Sequence, residues 1–338
     1  MDYYVTGIAM SQFAYGAERL GLPSKKVLQE LGMDPAEVLQ PMARIPLLSY
    51  ERFVLELVLI SGDELFGYRV GSQVMPALYG VLPSLAFSAM NVRQAIEVCC
   101  RYQSLAAGNV GELVAAESGD SLLLTWSMVH QNPVMRRHLV ECTLALVGHM
   151  FRFICGDPEL APRSLKIEHL PSSQEAASEL VKFTGCQIEF GAPATVLELG
   201  PDMLRLTLNA HGDESLRLAE DLAREQLQRQ QQSDEWLSRI RLQVRDLMQA
   251  GSPRRELVAD RLGISVRTLD RRLADEGVSW QQLLDGMRAQ LAREYLLEPD
   301  STVQSIAHRL GFADLRAFQR RFRVWTGMTP SEYRDQRS

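Results

Sequence analysis

No stretch of this sequence approaches the roughly 18 uninterrupted apolar residues that a membrane span requires, because its most apolar segments are broken by Glu51, Arg52 and Glu56 or by Arg93 and Glu97. No membrane-spanning role or membrane partner is expected. The first twenty residues lack the basic start, apolar middle and small-residue cleavage site of an export signal, which predicts a cytoplasmic protein. Cysteine is scarce, and Cys99, Cys100, Cys142, Cys155 and Cys186 form an odd set with no C-x-x-C spacing and no clustered histidines. This argues against a disulfide framework and a structural zinc, and no metal or other cofactor is expected. The adjacent Cys99 and Cys100 read as buried, reduced helix residues rather than a redox switch. Catalytic signatures are also missing: G-x-S-x-G, the P-loop, G-x-G-x-x-G after a strand, and a histidine pair at metal spacing. His130, His138 and His149 are scattered, although His138 and Glu141 stand three residues apart and can share a helix face. An enzyme is not expected; only a carboxylate pair distant in sequence escapes this reading.

What is present is ordinary globular material. The 338 residues are 46% apolar and 23% charged, enough for two domains with sizeable cores. The formal net charge of −6 hides an asymmetry around Ser233. Residues 1–233 carry 18 Lys+Arg against 27 Asp+Glu, whereas residues 234–338 carry 18 against 15. All four lysines (Lys25, Lys26, Lys166, Lys182) lie in the first part, so every cationic residue of the second, histidine aside, is arginine. The planar guanidinium fork matches phosphate oxygens and guanine edges better than an ammonium does. A solvated helical surface is the plain alternative for such stretches.

Apolar spacing predicts short helices over residues 1–40, punctuated by Gly21-Leu22-Pro23 and by Gly32 and Pro35, and a further helix from Ser49 to about Ile60. From Glu112 to Val129 the period changes to two runs around Gly119-Asp120, a hairpin signature. A long helix is expected from Pro133 toward Phe153. Strands are expected at Leu165 to Leu170, Gln187 to Phe190 and Thr195 to Leu199, with a helix from Ser173 to about Phe183. These elements make residues 1–210 an α+β domain. Residues 211–233 turn polar and glutamine-rich without proline, as a helical or frayed linker. Residues 234–338 read as all α.

The sharpest signal is a repeat. VADRLGISVRTLDRRL (258–273) reads as a helix ending at Gly263, an N-capping Ser265 and a second helix, which is a helix-turn-helix. The pattern returns in SIAHRLGFADLRAFQRRF (305–322): Ala307, Arg309, Leu310 and Gly311 stand 48 residues beyond Ala259, Arg261, Leu262 and Gly263. One extra residue in the turn makes the later offset 49, so Phe318 and Phe322 match the inward Leu269 and Leu273. Arg316, Gln319 and Arg320 then match the outward Arg267, Asp270 and Arg271. Between the modules, Ser279 to Glu298 has the unbroken periodicity of one helix. Two recognition helices held at fixed separation can read successive major grooves, about 34 Å apart. Arg267, Arg271, Arg316, Gln319 and Arg320 are candidates for base or groove contacts. Arg272 and Arg321 are candidates for phosphate contacts or intradomain pairs. Asp270 either accepts from a cytosine amino group or, the favoured reading, orients Arg267 or Arg271.

From Val258 through LGISVRTLDRRL, the helix with Arg288, Ala292 and Leu296-Leu297, and IAHRLGFADLRAFQRRFRVWTGMTPSEYR, the chain resembles the DNA-binding domain of AraC/XylS-type transcription regulators. Gly327-Met328-Thr329-Pro330-Ser331-Glu332-Tyr333-Arg334 is similar to that family's closing signature. Arg316 departs from it, standing where a small polar residue is common. ARIPLLSYERF (43–53), FGYRVGSQVMPALYGVL (66–82), Arg101-Tyr102 and IEFGAPATVLEL (188–199) resemble the effector domain of a subgroup that includes the ornithine-utilisation regulators, distinct from the arabinose-type cupin barrel. The resemblance implies an activator that binds promoter double-stranded DNA as a homodimer, engages RNA polymerase and senses a small molecule such as an amino acid. Arg69, Tyr79, Arg101, Tyr102, Trp126, Arg136 and Glu141 are the polar groups amid apolar segments that can meet such an effector, arginine clamping a carboxylate and an acid meeting an amino group. Ion pairs that merely hold the domain together are the alternative for each. A regulator whose first domain only oligomerises is the second reading of the chain.

Overall fold

The computed structural model describes residues 3–73, 75–208, 212–249, 253–298, 301–326 and 328–335. It divides into two units, Met1–Arg229 and Gln230–Ser338. The first opens with β1 (Tyr4–Thr6), α1 (Gly7–Arg19), α2 (Ser24–Glu30), α3 (Pro35–Val38), β2 (Arg44–Pro46) and α4 (Leu47–Ser61). Then come α5 (Phe66–Ser72), a 3-10 turn (Pro76–Tyr79), α6 (Leu82–Ser88), α7 (Val92–Tyr102) and α8 (Ser104–Ala107). The hairpin β3 (Gly111–Ser118) and β4 (Ser121–Met128) leads into α9 (Pro133–Cys155), β5 (Ser164–Ile167), α10 (Gln174–Thr184), β6 (Ile188–Phe190), β7 (Thr195–Leu199) and α11 (Pro201–Leu204). The α+β class expected from sequence is the one observed.

Five strands form one sheet in the order β3-β4-β7-β5-β6, with β5 and β6 parallel and the other neighbours antiparallel. The hairpin pairs from Gly111↔Met128 to Ser118↔Ser121 around Gly119-Asp120. On β7, Thr195, Leu197 and Leu199 are buried while the residues between them are less so, the period of two that a half-covered strand requires. The small second sheet, in which β1 pairs antiparallel with β2, was not foreseen. Strands of three residues are too short to show alternation, and the helical spacing of residues 1–40 concealed β1.

The backbone of this unit is α9. Its Met135, Leu139 and Cys142 join the core built by α1, α2, α4 and α5, while Val140, Leu144 and Val147 join the core beneath the sheet. A helix serving two cores must be apolar on more than one face. Consequently α9 is long and apolar enough by length and composition to cross a membrane, which corrects the sequence-based exclusion; a third of that stretch is buried inside the unit, and the charged or polar His138 and Glu141 are among its buried residues. It meets α5 at backbone distance. A Cβ on Gly67 would lie 2.1 Å from the His138 carbonyl oxygen, and one on Gly71 would lie 2.2 Å from that of Cys142.

All five cysteines are free thiols. Cys99 and Cys100 are half-buried rather than buried as expected, and their partly buried thiols are pushed up to about 12 and about 11, which suits inert residues rather than reactive ones.

From residue 212 the expected linker is part of one long helix, α12 (Gly212–Gln249), and His211 lies outside the described residues. Its first half belongs to the first unit: Leu216, Ala219 and Ala223 pack with Leu85, Val98, Tyr102 and Leu105. The second half belongs to the second unit through Leu237, Ile240, Val244 and Leu247. The latter unit continues with α13 (Arg255–Arg261), α14 (Val266–Asp275), α15 (Trp280–Leu296), α16 (Val303–Arg309), α17 (Leu315–Thr326) and α18 (Pro330–Asp335).

Two outcomes follow from the α5–α9 contact. Gly71→Ala overpacks a backbone approach with no side chain to yield, so a loss of about 1–3 kcal/mol is expected in urea unfolding. His138 Nδ1 accepts the Gly67 N–H at 3.2 Å, and burial, then Arg137 and His169, lower its pKa from 6.5 to about 4. The unfolded chain therefore binds this proton near pH 6.5 and the folded chain only near pH 4. Stability falls as pH drops through that window, and His138→Gln, which keeps an acceptor for Gly67, is expected to flatten the fall in unfolding midpoints between pH 7 and pH 5.

Candidate nucleic-acid interface

Each helix-turn-helix of the second unit is fixed by the same hydrogen bonds at the repeat spacing. In the first turn the Gly263 N–H donates to the Asp260 carbonyl at 2.9 Å and the Ile264 N–H to that of Ala259 at 3.0 Å. In the second, Gly311 donates to His308 at 2.9 Å and Phe312 to Ala307 at 3.0 Å. Both glycines have left-handed backbone, φ +66° and +73°, which a side chain would strain. The recognition helices begin alike: the Ser265 side chain accepts the Thr268 N–H at 3.1 Å, and the Asp314 carboxylate accepts that of Ala317 at 2.7 Å. These caps stand 49 residues apart, so the extra turn residue lies between Gly311 and the cap, as the alignment expected.

Burial then aims the faces. Leu269 and Leu273 of α14 and Phe318 and Phe322 of α17 are all within 1% of full burial, in one core with Leu283, Leu284, Met287, Leu291 and Ala292 of α15. The residues opposite them, Arg267 and Arg271 on α14 and Arg316, Gln319 and Arg320 on α17, are exposed. Two side chains expected at phosphate or in intradomain pairs have internal contacts. The Arg272 guanidinium lies 5.8 Å from the Trp236 ring centroid, and Arg321 pairs with Asp285. The Asp270 carboxylate lies 3.5 Å from Arg255 of α13, a partner that the favoured reading did not name. The reading overlooked Arg255 because it stands three residues before the 258–273 run in which the helix-turn-helix was recognised, at the first residue of α13. It also missed Arg323, exposed on α17 three residues beyond Arg320, where the repeat has Ala274. The helical interval alone was the signal for it.

Other cations hold the unit together. Arg288, half-buried between α15 and α16, donates to the Leu310 carbonyl at 3.0 Å and lies 5.0 Å from the Phe312 ring centroid; burial lowers its pKa. Arg334 donates to the Leu296 carbonyl at 3.0 Å, tying α18 to the end of α15. In the closing run the Thr329 N–H donates to Glu332 at 2.7 Å, which with the Thr329 hydroxyl lowers the Glu332 pKa. Gly327 lies outside the described residues.

In the first unit the effector candidates do not converge on one site. Arg69 pairs with Asp63 at 2.5 Å and Glu179 at 3.1 Å, and Arg101 pairs with Glu220 at 2.7 Å. Tyr102 is buried in the apolar cluster under α12. Trp126 stands on β4 opposite Leu113 of β3 and Thr195 of β7. Arg136 and Glu141 both reach the end of β5: Arg136 pairs with Glu168 at 2.5 Å, and the buried Glu141 lies 3.2 Å from His169 and 3.4 Å from Arg137. The Tyr79 hydroxyl is buried without a hydrogen-bond partner among the described residues, and burial, with Cys142 and Tyr50 nearby, raises its pKa well above the ordinary value.

A model described as the arabinose-binding domain of AraC transcription regulator, N-terminal, matches residues 21–208, and a helix-turn-helix domain model matches residues 258–336. The chain is similar to the Ornithine utilization regulator of Pseudomonas aeruginosa, 26% identical over 92% of this chain and 91% of that one. It is similar to the HTH-type transcriptional regulator VirS of Mycobacterium tuberculosis, 31% identical over 57% of this chain and 56% of that one. A solved structure with likeness to it is the transcriptional regulator CdpR from Pseudomonas aeruginosa: 21% identity, 93% of this chain, 96% of that chain and a TM-score of 0.45.

The internal cations should separate experimentally from the exposed ones. Arg288→Met keeps the stem but strands the Leu310 carbonyl, so a stability loss of about 1–3 kcal/mol is expected in denaturant unfolding. Base preference in DNA-binding assays at temperatures below unfolding should stay unchanged.

Proposed function

The chain belongs to the AraC family of transcription regulators, a DNA-binding family, and on that footing we propose that it is a one-component activator in which a sensing domain controls a reading domain. In this reading residues 1–210 bind a small metabolite and dimerise, residues 211–233 connect, and residues 234–338 bind promoter DNA in the cytoplasm and present the bound complex to RNA polymerase. The chain acts by binding rather than catalysis. The observation that carries the reading is the pair of modules with the same turn bonds and caps, each burying two large apolar residues and exposing arginine opposite. We assign base or groove contacts to Arg267, Asp270, Arg271, Arg316, Gln319 and Arg320. Arg272 and Arg321 sit where a phosphate competes with Trp236 and Asp285.

For the effector, the relative named for ornithine utilisation supports an amino-acid-like compound. A second reading, a domain that only oligomerises, has a specific observation in its favour: Arg69, Arg101, Arg136 and Glu141 already have charged partners inside the unit.

The test is binding of the full chain to its own upstream DNA at two salt concentrations, with and without pooled amino acids and polyamines. Sensing predicts a pool-dependent change in affinity or thermal midpoint; indifference to the pool favours oligomerisation alone. Arg271→Ala or Arg320→Ala should relax preference at one base step by about 1–3 kcal/mol, whereas a uniform loss across sequences would assign those residues to the backbone.

A further inference from the structure

The groove faces of the two modules differ in one chemical respect. The outward series on α14 is Arg267, Asp270, Arg271, Ala274, and the matching series on α17 is Arg316, Gln319, Arg320, Arg323. The first contains a carboxylate and the second none. Near phosphate and the acceptor-rich edge of guanine, a carboxylate is unfavourable unless a donor meets it.

Asp270 is available to meet one. Its side chain is 43% exposed, and Arg255, which lies 3.5 Å from it, also lies 3.3 Å from Glu256. Exposed pairs of this length contribute little to folding, so parting Asp270 from Arg255 costs little. The carboxylate accepts hydrogen bonds and donates none. In the major groove, guanine N7 and O6 and thymine O4 oppose it lone pair to lone pair, leaving a desolvated charge unpaired. On its own base the cytosine N4 amino group is flanked by C5–H rather than by an acceptor, whereas adenine N6 stands next to the N7 acceptor.

We propose that Asp270 is a specificity-determining residue of the first module: it selects cytosine at one base step and rejects guanine and thymine there. Arg255 neutralises the carboxylate in the free protein and turns to a neighbouring phosphate when DNA enters. This rests on the reading that α14 occupies a major groove. Arg267, three residues before, and Arg271, one after, set the step beside the guanines that arginine favours. The second module, with Gln319 at the matching position, has no equivalent requirement.

The experiment is selection from randomised duplexes by the full chain and by its Asp270→Asn, Asp270→Ala and Arg255→Ala variants, each checked for an unchanged melting curve. The wild-type chain should enrich cytosine at one position of the half-site read by α14. Asp270→Asn should move that position to adenine, whose N6 and N7 an amide reads together. Asp270→Ala should lose about tenfold discrimination there, leave other positions unchanged and bind non-specific DNA more tightly. Arg255→Ala should keep cytosine and lower the salt slope by about one. If both Asp270 variants enrich the wild-type sequence, or Arg255→Ala changes the selected base, the proposal is overturned. If the wild-type chain enriches nothing, the groove assignment of α14 fails as well, which is a distinguishable result.

Discussion

The second unit depends on one constraint: each recognition helix must bury two large apolar residues in a single shared core. Leu269 and Leu273 on α14, and Phe318 and Phe322 on α17, are the anchors, and α15 supplies the surface between them. Because a helix turns about 100° per residue, burying positions four apart fixes the direction of every other side chain on it. The exposure of Arg267, Arg271, Arg316 and Arg320 is thus a consequence of packing. Truncating an anchor would loosen the aim of residues that never touch it. The turn glycines and the side-chain caps set where each helix begins, and the core sets how it is rotated.

The first unit is organised by a different economy. Its central helix, α9, is shared between two cores, and the absence of side chains at Gly67 and Gly71 lets α5 come against its backbone. Around that contact several charged groups meet one another, while Arg137 Nε, Glu141 Oε2 and His169 Nε2 are buried without a hydrogen-bond partner among the described residues. Arg136 meets Glu168, Arg69 meets Asp63 and Glu179, and Glu141 lies among Arg137, His138 and His169. Arg69 and Arg136, expected at an effector, each pair in three dimensions with a carboxylate of a distant stretch of the chain.

This difference explains how legible each part was. The DNA-binding unit could be read closely, since its information is local: a glycine at a turn, a capping side chain, an apolar pair four apart, and all of it twice. In the first unit the hairpin, the long helix, α10 and the later strands were legible for the same reason. Three-residue strands such as β1 and β2 carry too few positions to show a period. The partners of Arg101 and Asp270 were not legible, because Glu220 lies 119 residues from Arg101 and Arg255 lies on a different helix from Asp270. The glutamine-rich composition of residues 211–233 concealed a buried stripe, in which Ala219 and Ala223 are too small to register as core residues beside so many charges.

The arginine-only chemistry of the reading unit has a consequence outside recognition. Acylation of lysine neutralises an ammonium, and it has no target anywhere in residues 234–338, since Lys182 is the last lysine in the chain. Reagents and enzymes that act on primary amines can alter the first unit at Lys25, Lys26, Lys166 and Lys182 while leaving every cation on α14 and α17 charged. A lysine-specific protease, for the same reason, leaves everything beyond Lys182 as one uncut piece. The arginine surface of the second unit thus keeps its charge under conditions that would discharge a lysine-based one.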